Sequence, residues 1–129
     1  MPHILVVDDS RLSRRMVVDK LKEAGHETVE AINGKEGLDL LRLTRPDCVV
    51  TDLLMPVMGG QELLRNIRSI NSEIPVIIAS ADIQISSRSE CEELGISGFL
   101  QKPVDAQSLL TCVNEALNQE IEVVNNVSK

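Results

Sequence analysis

The chain has 129 residues, 43% apolar and 26% charged, which suits one soluble globular domain long enough for a real core. Its net charge of −7 argues against binding a phosphate backbone, and one Phe with no Trp or Tyr removes the stacking platforms that flavins, bases or single-stranded nucleic acid need. Three cysteines, Cys48, Cys91 and Cys112, make an odd count without C-x-x-C spacing; they read as small buried or half-buried hydrophobes in a reducing, cytoplasmic compartment.

Met1-Pro2-His3 leads straight into a strand with no visible signal peptide, and no apolar run approaches a membrane span. Ile4-Leu5-Val6-Val7 is a continuous apolar run, the mark of a strand buried on both faces. Ser10 offers an N-cap for a helix whose apolar positions are Leu12, Met16, Val17, Leu21 and Ala24, with Gly25 as its stop. Thr28 to Ile32 is a second strand. Asn33-x-x-Glu36 forms a capping box for a helix through Leu38, Leu41 and Leu43, broken by Pro46. Cys48 to Thr51 is the third strand. Gly59-Gly60 opens a helix carrying Leu63, Leu64, Ile67 and Ile70. Pro75 starts a fourth strand, Val76 to Ala79. Ser86 to Leu94 is a more polar helix ending at Gly95. Phe99-Leu100 is a short last strand, and Asp105 caps an amphipathic helix with Ala106, Leu109, Leu110, Val113, Ala116 and Leu117. The polar tail, Asn125 to Lys129, is expected to fray.

Strands and helices alternate, and the strand runs are apolar throughout, so the fold class is α/β with a parallel sheet covered on both faces. Open parallel sheets place their sites beyond the carboxyl ends of the strands. Asp8 and Asp9 fall there after the first strand, Asp52 after the third, Ser80 after the fourth, and Lys102 after the fifth. Each has a plain alternative. The acid pair suits the start of a helix by its dipole, Asp52 can be a turn residue, Ser80 can bond to backbone, and Lys102 can be a surface lysine. Their conjunction points to one chemistry. Clustered carboxylates repel unless a hard cation such as Mg2+ joins them. A lysine and a hydroxyl beside them suit a phosphoryl group, and a carboxylate can be its nucleophilic acceptor.

These pieces together resemble the receiver domain of two-component response regulators: V-V-D-D-S at 6–10, V-V-T-D-L-L-M-P-V-M-G-G at 49–60, P-V-I-I-A-S-A at 75–81 and G-I-S-G-F-L-Q-K-P at 95–103. The resemblance covers residues 1–120 as one receiver domain, with 121–129 the end of the last helix and its tail. It implies a flavodoxin-like, doubly wound (βα)5 three-layer sandwich with strand order 2-1-3-4-5. It implies Mg2+ held by Asp8, Asp9, Asp52 and the backbone carbonyl of Leu54, with Asp52 phosphorylated, Asp52, Lys102 and Ser80 catalytic, and Ser80 and Phe99 as switch residues. Phe99 has the plain alternative of a core residue. The implied partners are a sensor histidine kinase or histidine phosphotransfer protein and a downstream protein target; the face of the fourth helix, fifth strand and fifth helix is a candidate dimer contact. Neither nucleic acid nor membrane is an expected direct partner. The implied role is signalling rather than metabolic catalysis.

Gly59 departs from the acid or Asn often found there in the family, and Leu54 and Asp82 occupy positions that tune acyl-phosphate lifetime. Three competing readings are weaker. An aspartyl-nucleophile phosphatase needs an acid where Leu54 stands; a flavodoxin-like cofactor binder needs aromatics; a pseudo-receiver docking module would have lost an acid or the lysine. The chain can be a stand-alone regulator or a receiver excised from a longer protein. Finally, a cis peptide before Pro103 would turn the chain sharply and aim Lys102 at Asp52, as the resemblance also implies. The lysine nitrogen is then expected ~3–5 Å from the carboxylate.

Overall fold

The computed structural model describes the backbone of residues 2–70, 72–81 and 85–127, with the side chains of 85–87 and 119–127 left out of the description. In chain order the elements are β1 (His3–Val7), α1 (Arg11–Glu23), β2 (Glu27–Ala31), α2 (Gly34–Thr44), β3 (Cys48–Thr51), α3 (Gly60–Ser69), β4 (Val76–Ser80), α4 (Ile85–Leu94), β5 (Gly98–Gln101) and α5 (Ala106–Val127). All strands are parallel, in the order β2-β1-β3-β4-β5. The doubly wound, flavodoxin-like architecture is the one expected.

The continuous apolar strands have a simple cause. Successive side chains point to opposite faces, and both faces are covered. Ile4, Val6, Cys48, Val50, Ile77 and Ala79 pack with residues of α1 and α5, including Val18, Leu21, Leu109 and Val113. Leu5, Val7, Val49, Val76 and Ile78 pack on the other face with residues of α2, α3 and α4, including Leu38, Leu64 and Cys91. Aliphatic side chains therefore fill both halves of the core.

Caps fall where the sequence places them. The Ser10 hydroxyl accepts from the Ser13 amide. Asn33 Oδ1 accepts from the Glu36 amide, and the Glu36 carboxylate reaches back to the Ile32 amide, closing the capping box one residue earlier than its simplest form. Gly25 and Gly95 take positive φ, +91° and +97°, beyond the ends of α1 and α4. α5 is longer than the apolar stripe used to place it, running to Val127; Ser128 and Lys129 lie outside the described residues, as does Asp82.

Five apolar positions assigned to buried helix faces or strand are corrected. Leu12 is 73% exposed, Met16 43% and Leu43 80%, while Ile70 caps α3 at 41% exposure. Ile32 lies just past β2 and is half exposed. In α1 the inward stripe is Val17, Val18 and Leu21, and the positions that extend it by helical spacing are 14 and not 12 or 16. An arginine therefore occupies an inward position that the apolar pattern concealed.

α3 is tied to its neighbours through Arg68. Its guanidinium donates to the carbonyls of Leu94 and Gly95, at the C-terminal end of α4, and to those of Ser72 and Ile74 ahead of β4. Burial pushes Arg68 below its ordinary value, opposed by Glu73. Glu90 of α4 accepts from Gln61 and Arg65 of α3.

Cys48 and Cys91 are buried and Cys112 is half-buried. Burial raises the thiols of Cys91 and Cys112, with Glu90 and Glu115 respectively adding to the rise, so less thiolate is present at neutral pH. In the folded protein an aromatic disulfide reagent should titrate Cys112 first and slowly. Cys48 and Cys91 should react at full rate only in denaturant. Rapid reaction of all three thiols without denaturant would contradict this packing.

Candidate functional site

Three backbone hydrogen bonds bring the strand ends to one edge. The Asp8 amide donates to Ala31 and the Asp52 amide to Val7, so each acid stands one step beyond its strand against a neighbour still in register. The Lys102 amide donates to the Ser80 carbonyl, which sets the lysine beside the end of β4. The chain then turns at the cis Lys102–Pro103 bond, as expected.

The lysine is the centre of the site. Its Nζ lies 2.6 Å from Asp8 Oδ2 and 2.8 Å from Asp52 Oδ2, closer than expected for Asp52 and with a second acid not foreseen. The side chains are only 13%, 5% and 11% exposed for Lys102, Asp8 and Asp52. Burial alone would lower the lysine, but hydrogen bonds and charge from Asp52 and Asp8 outweigh it and raise it above its ordinary value. It is an ammonium at neutral pH. The sign of the linkage follows: the stabilisation is present below the unfolded lysine's pKa and is lost as alkaline pH rises through the folded one.

The remaining acceptors on these acids are also engaged. Asp8 Oδ1 accepts from the Ser10 amide at 2.9 Å, and Asp52 Oδ1 accepts from the Leu53 and Leu54 amides at 2.7 and 3.4 Å. Asp9 is exposed. One carboxylate oxygen from each of Asp8, Asp9 and Asp52 lies within 4.8 Å of the other two, so the three acids form a cluster that can hold a metal ion. Three carboxylates against one ammonium leave an excess of negative charge, and an all-oxygen donor set suits a hard divalent cation. Ser80 is 1% exposed at the end of β4. Leu54 is 63% exposed beside the cluster. Phe99 is half-buried in β5, packed against the core, with the Arg88 guanidinium 5.1 Å from its ring centroid.

Two features escaped the sequence reading. The glycines that open α3 are needed for close approach. A Cβ on Gly60 would lie 1.9 Å from the Asp52 carbonyl oxygen, and one on Gly59 2.7 Å from that of Leu53. The lost side-chain cap at Gly59 is thus the condition for seating α3 against the Asp52–Leu53 backbone. The second is Arg14, whose Nη1 donates to the Asp8 carbonyl and whose Nε pairs with Glu30. Its signal was present in the sequence as a charged residue three and four positions before Val17 and Val18.

Comparison with known proteins places the chain among relatives of the same fold. The family model described as the response regulator receiver domain matches residues 4–114. The protein PilH of Pseudomonas aeruginosa is 34% identical over 119 residues, covering 91% of this chain and 98% of its own length. The response regulator MprA of Mycolicibacterium vanbaalenii is 34% identical over 116 residues, which is 90% of this chain but 50% of MprA. The chain thus spans half the length of that relative, and 26% of the transcriptional regulatory protein GlrR of Escherichia coli. Among solved structures, the chemotaxis protein CheY4 of Vibrio cholerae superposes with a TM-score of 0.84 at 31% identity, covering 91% of this chain and 99% of that one.

The packing of α3 has a direct test. Gly60→Ala forces a methyl group into backbone that cannot move aside, and should destabilise the fold by about 1–3 kcal/mol in urea unfolding followed by circular dichroism. An unchanged midpoint would show that the Gly60–Asp52 approach is looser than described.

Proposed function

The chain belongs to the response regulator receiver domain family, and from that membership we propose that it accepts a phosphoryl group on Asp52 from a phosphohistidine of a partner. The partner class is a sensor histidine kinase or a histidine phosphotransfer protein. The observation that carries this reading is the Lys102 ammonium bound to both Asp8 and Asp52 at the strand ends, with Asp9 in the same cluster.

In the proposed reaction an Asp52 oxygen attacks phosphorus, the O–P bond forms, and the P–N bond breaks with its electron pair leaving on the imidazole nitrogen. Asp8, Asp9 and Asp52, with the Leu54 carbonyl, would hold Mg2+. When bound, the ion neutralises charge on the phosphoryl oxygens. Lys102 gives up part of its contact with Asp52 to pair with the incoming phosphoryl group. Ser80 donates a hydrogen bond from its hydroxyl to another phosphoryl oxygen.

The acyl phosphate then acts as a two-state bias. Motion of Ser80 toward it vacates space at the end of β4, Phe99 turns inward, and the surface of α4, β5 and α5 changes its population for a downstream protein or a second copy of the chain. Output is binding, not turnover of a metabolite. We assign residues 1–120 to this receiver unit and 121–129 to the end of α5 with its tail. Retention of all three acids and the lysine favours this reading over a pseudo-receiver that only docks. Among the described residues no helix is long and apolar enough to cross a membrane.

Incubation with a small-molecule phosphodonor and Mg2+ should add one phosphoryl group by intact mass. The adduct should be labile in alkali and absent when a chelator is present. Asp52→Asn should not be labelled, and Lys102→Ala should be labelled at least tenfold more slowly, as expected for removal of a preorganised charge at a transferring phosphoryl group. Equal labelling of Asp52→Asn would overturn the assignment of the acceptor.

A further inference from the structure

We propose that Arg14 is a positioning residue for the acidic cluster: it fixes the peptide between Asp8 and Asp9, and through it the place of the Asp9 carboxylate, while Glu30 balances its charge. This rests on the reading of Asp8, Asp9 and Asp52 as metal ligands.

The three acids are not held alike. Asp8 is tied through both carboxylate oxygens, to the Ser10 amide and to Lys102. Asp52 is tied to Lys102 and to two amides. Asp9 is exposed, and among the described residues no hydrogen bond or ion pair engages its carboxylate. The aim of its side chain is therefore set by the backbone that carries it. That backbone is pinned on one side by the Asp8 amide, which donates to Ala31 at 3.0 Å. On the other side the Asp8 carbonyl belongs to the same peptide plane as the Asp9 amide. Arg14 Nη1 donates to that carbonyl at 2.7 Å. Rotation of this peptide would swing the Asp9 carboxylate away from Asp8 and Asp52.

An arginine suits the task for a geometric reason. Its donors form a rigid fork, so one edge can hold the Asp8 carbonyl while Nε pairs with Glu30 at 3.0 Å. The side chain is 13% exposed and lies on the inward face of α1. A bare cation this close to a metal site would oppose metal binding. Glu30, on edge strand β2, neutralises the charge without competing for the Asp8 carbonyl.

The test is the Mg2+ dissociation constant, measured from backbone amide shifts of Asp9 and Leu53 during MgCl2 titration at fixed ionic strength. A chain without Trp or Tyr offers no convenient fluorescence change. Arg14→Leu is expected to weaken Mg2+ binding about tenfold, the lower end of what outer-sphere partners of metal ligands contribute. Arg14→Lys should fall between that variant and the unaltered protein, because one ammonium cannot hold both acceptors. Arg15→Leu removes the same charge from an exposed position paired only loosely with Asp19 at 3.9 Å, and should change binding roughly twofold or less. A purely structural role would lower the melting temperature of Arg14→Leu and leave its dissociation constant below the transition unmoved; that result overturns the proposal. If Arg14→Leu does not fold, an Arg14→Lys constant equal to that of the unaltered protein overturns it. No Mg2+ binding by the unaltered protein would overturn the site reading and this inference together, whereas binding that ignores position 14 would overturn only the inference.

Discussion

One ammonium shared by two buried carboxylates sets the terms for the rest of the molecule. Asp8 and Asp52 come from strands that are adjacent in space and far apart in sequence, and Lys102 arrives from the opposite side of the sheet. Burying such acids without a cation costs more than the fold can spare, and removing one partner from a buried pair typically costs about 3–5 kcal/mol. The lysine contact therefore stabilises the chain while it prepares a site. The same contact leaves one lysine against three acids, so the cluster stays short of cations and ready for another.

Everything nearby serves to hold those side chains at hydrogen-bond distance. A parallel sheet with β1 and β3 adjacent brings two acids to one edge, and the ladder continues one bond past each strand end to hold them there. α3 can approach the Asp52 backbone only because two glycines stand at its start. α1 contributes from the other direction. Its N-cap region supplies the Ser10 amide to Asp8, and its inward face supplies Arg14. Packing and site are thus one construction: the residues that seat the helices are also those that limit where the carboxylates can go.

The sequence made the sheet legible because its signals were strong and local. Apolar runs such as Ile4–Val7 and Val76–Ala79 have few other readings, and Ser10, Asn33 and Gly25 mark helix ends by chemistry that acts within a few residues. The acids and the lysine were legible because each closes a strand. What escaped depended on contacts across the fold. Leu12 and Met16 match a helical stripe as well as Val17 does, and only the position of the sheet decides which of them is covered. Gly59-Gly60 reads as a poor helix cap because the Asp52 and Leu53 carbonyls it makes room for come close only when the intervening loop is folded. Arg14 was hidden by the habit of assigning charge to the outer face, when its partners are a backbone carbonyl and an acid on another strand.

The four carbonyls gathered by Arg68 have a mechanical consequence. They bind the C-terminal end of α4 to α3 and to the entry of β4, and Glu90 adds a tie one turn and more upstream. Because the acceptors are main-chain oxygens, the Arg68 part of this clamp is indifferent to the side chains that α4 carries, and the C-terminal half of the helix stays fastened to α3 and to the entry of β4 whatever residues its surface presents.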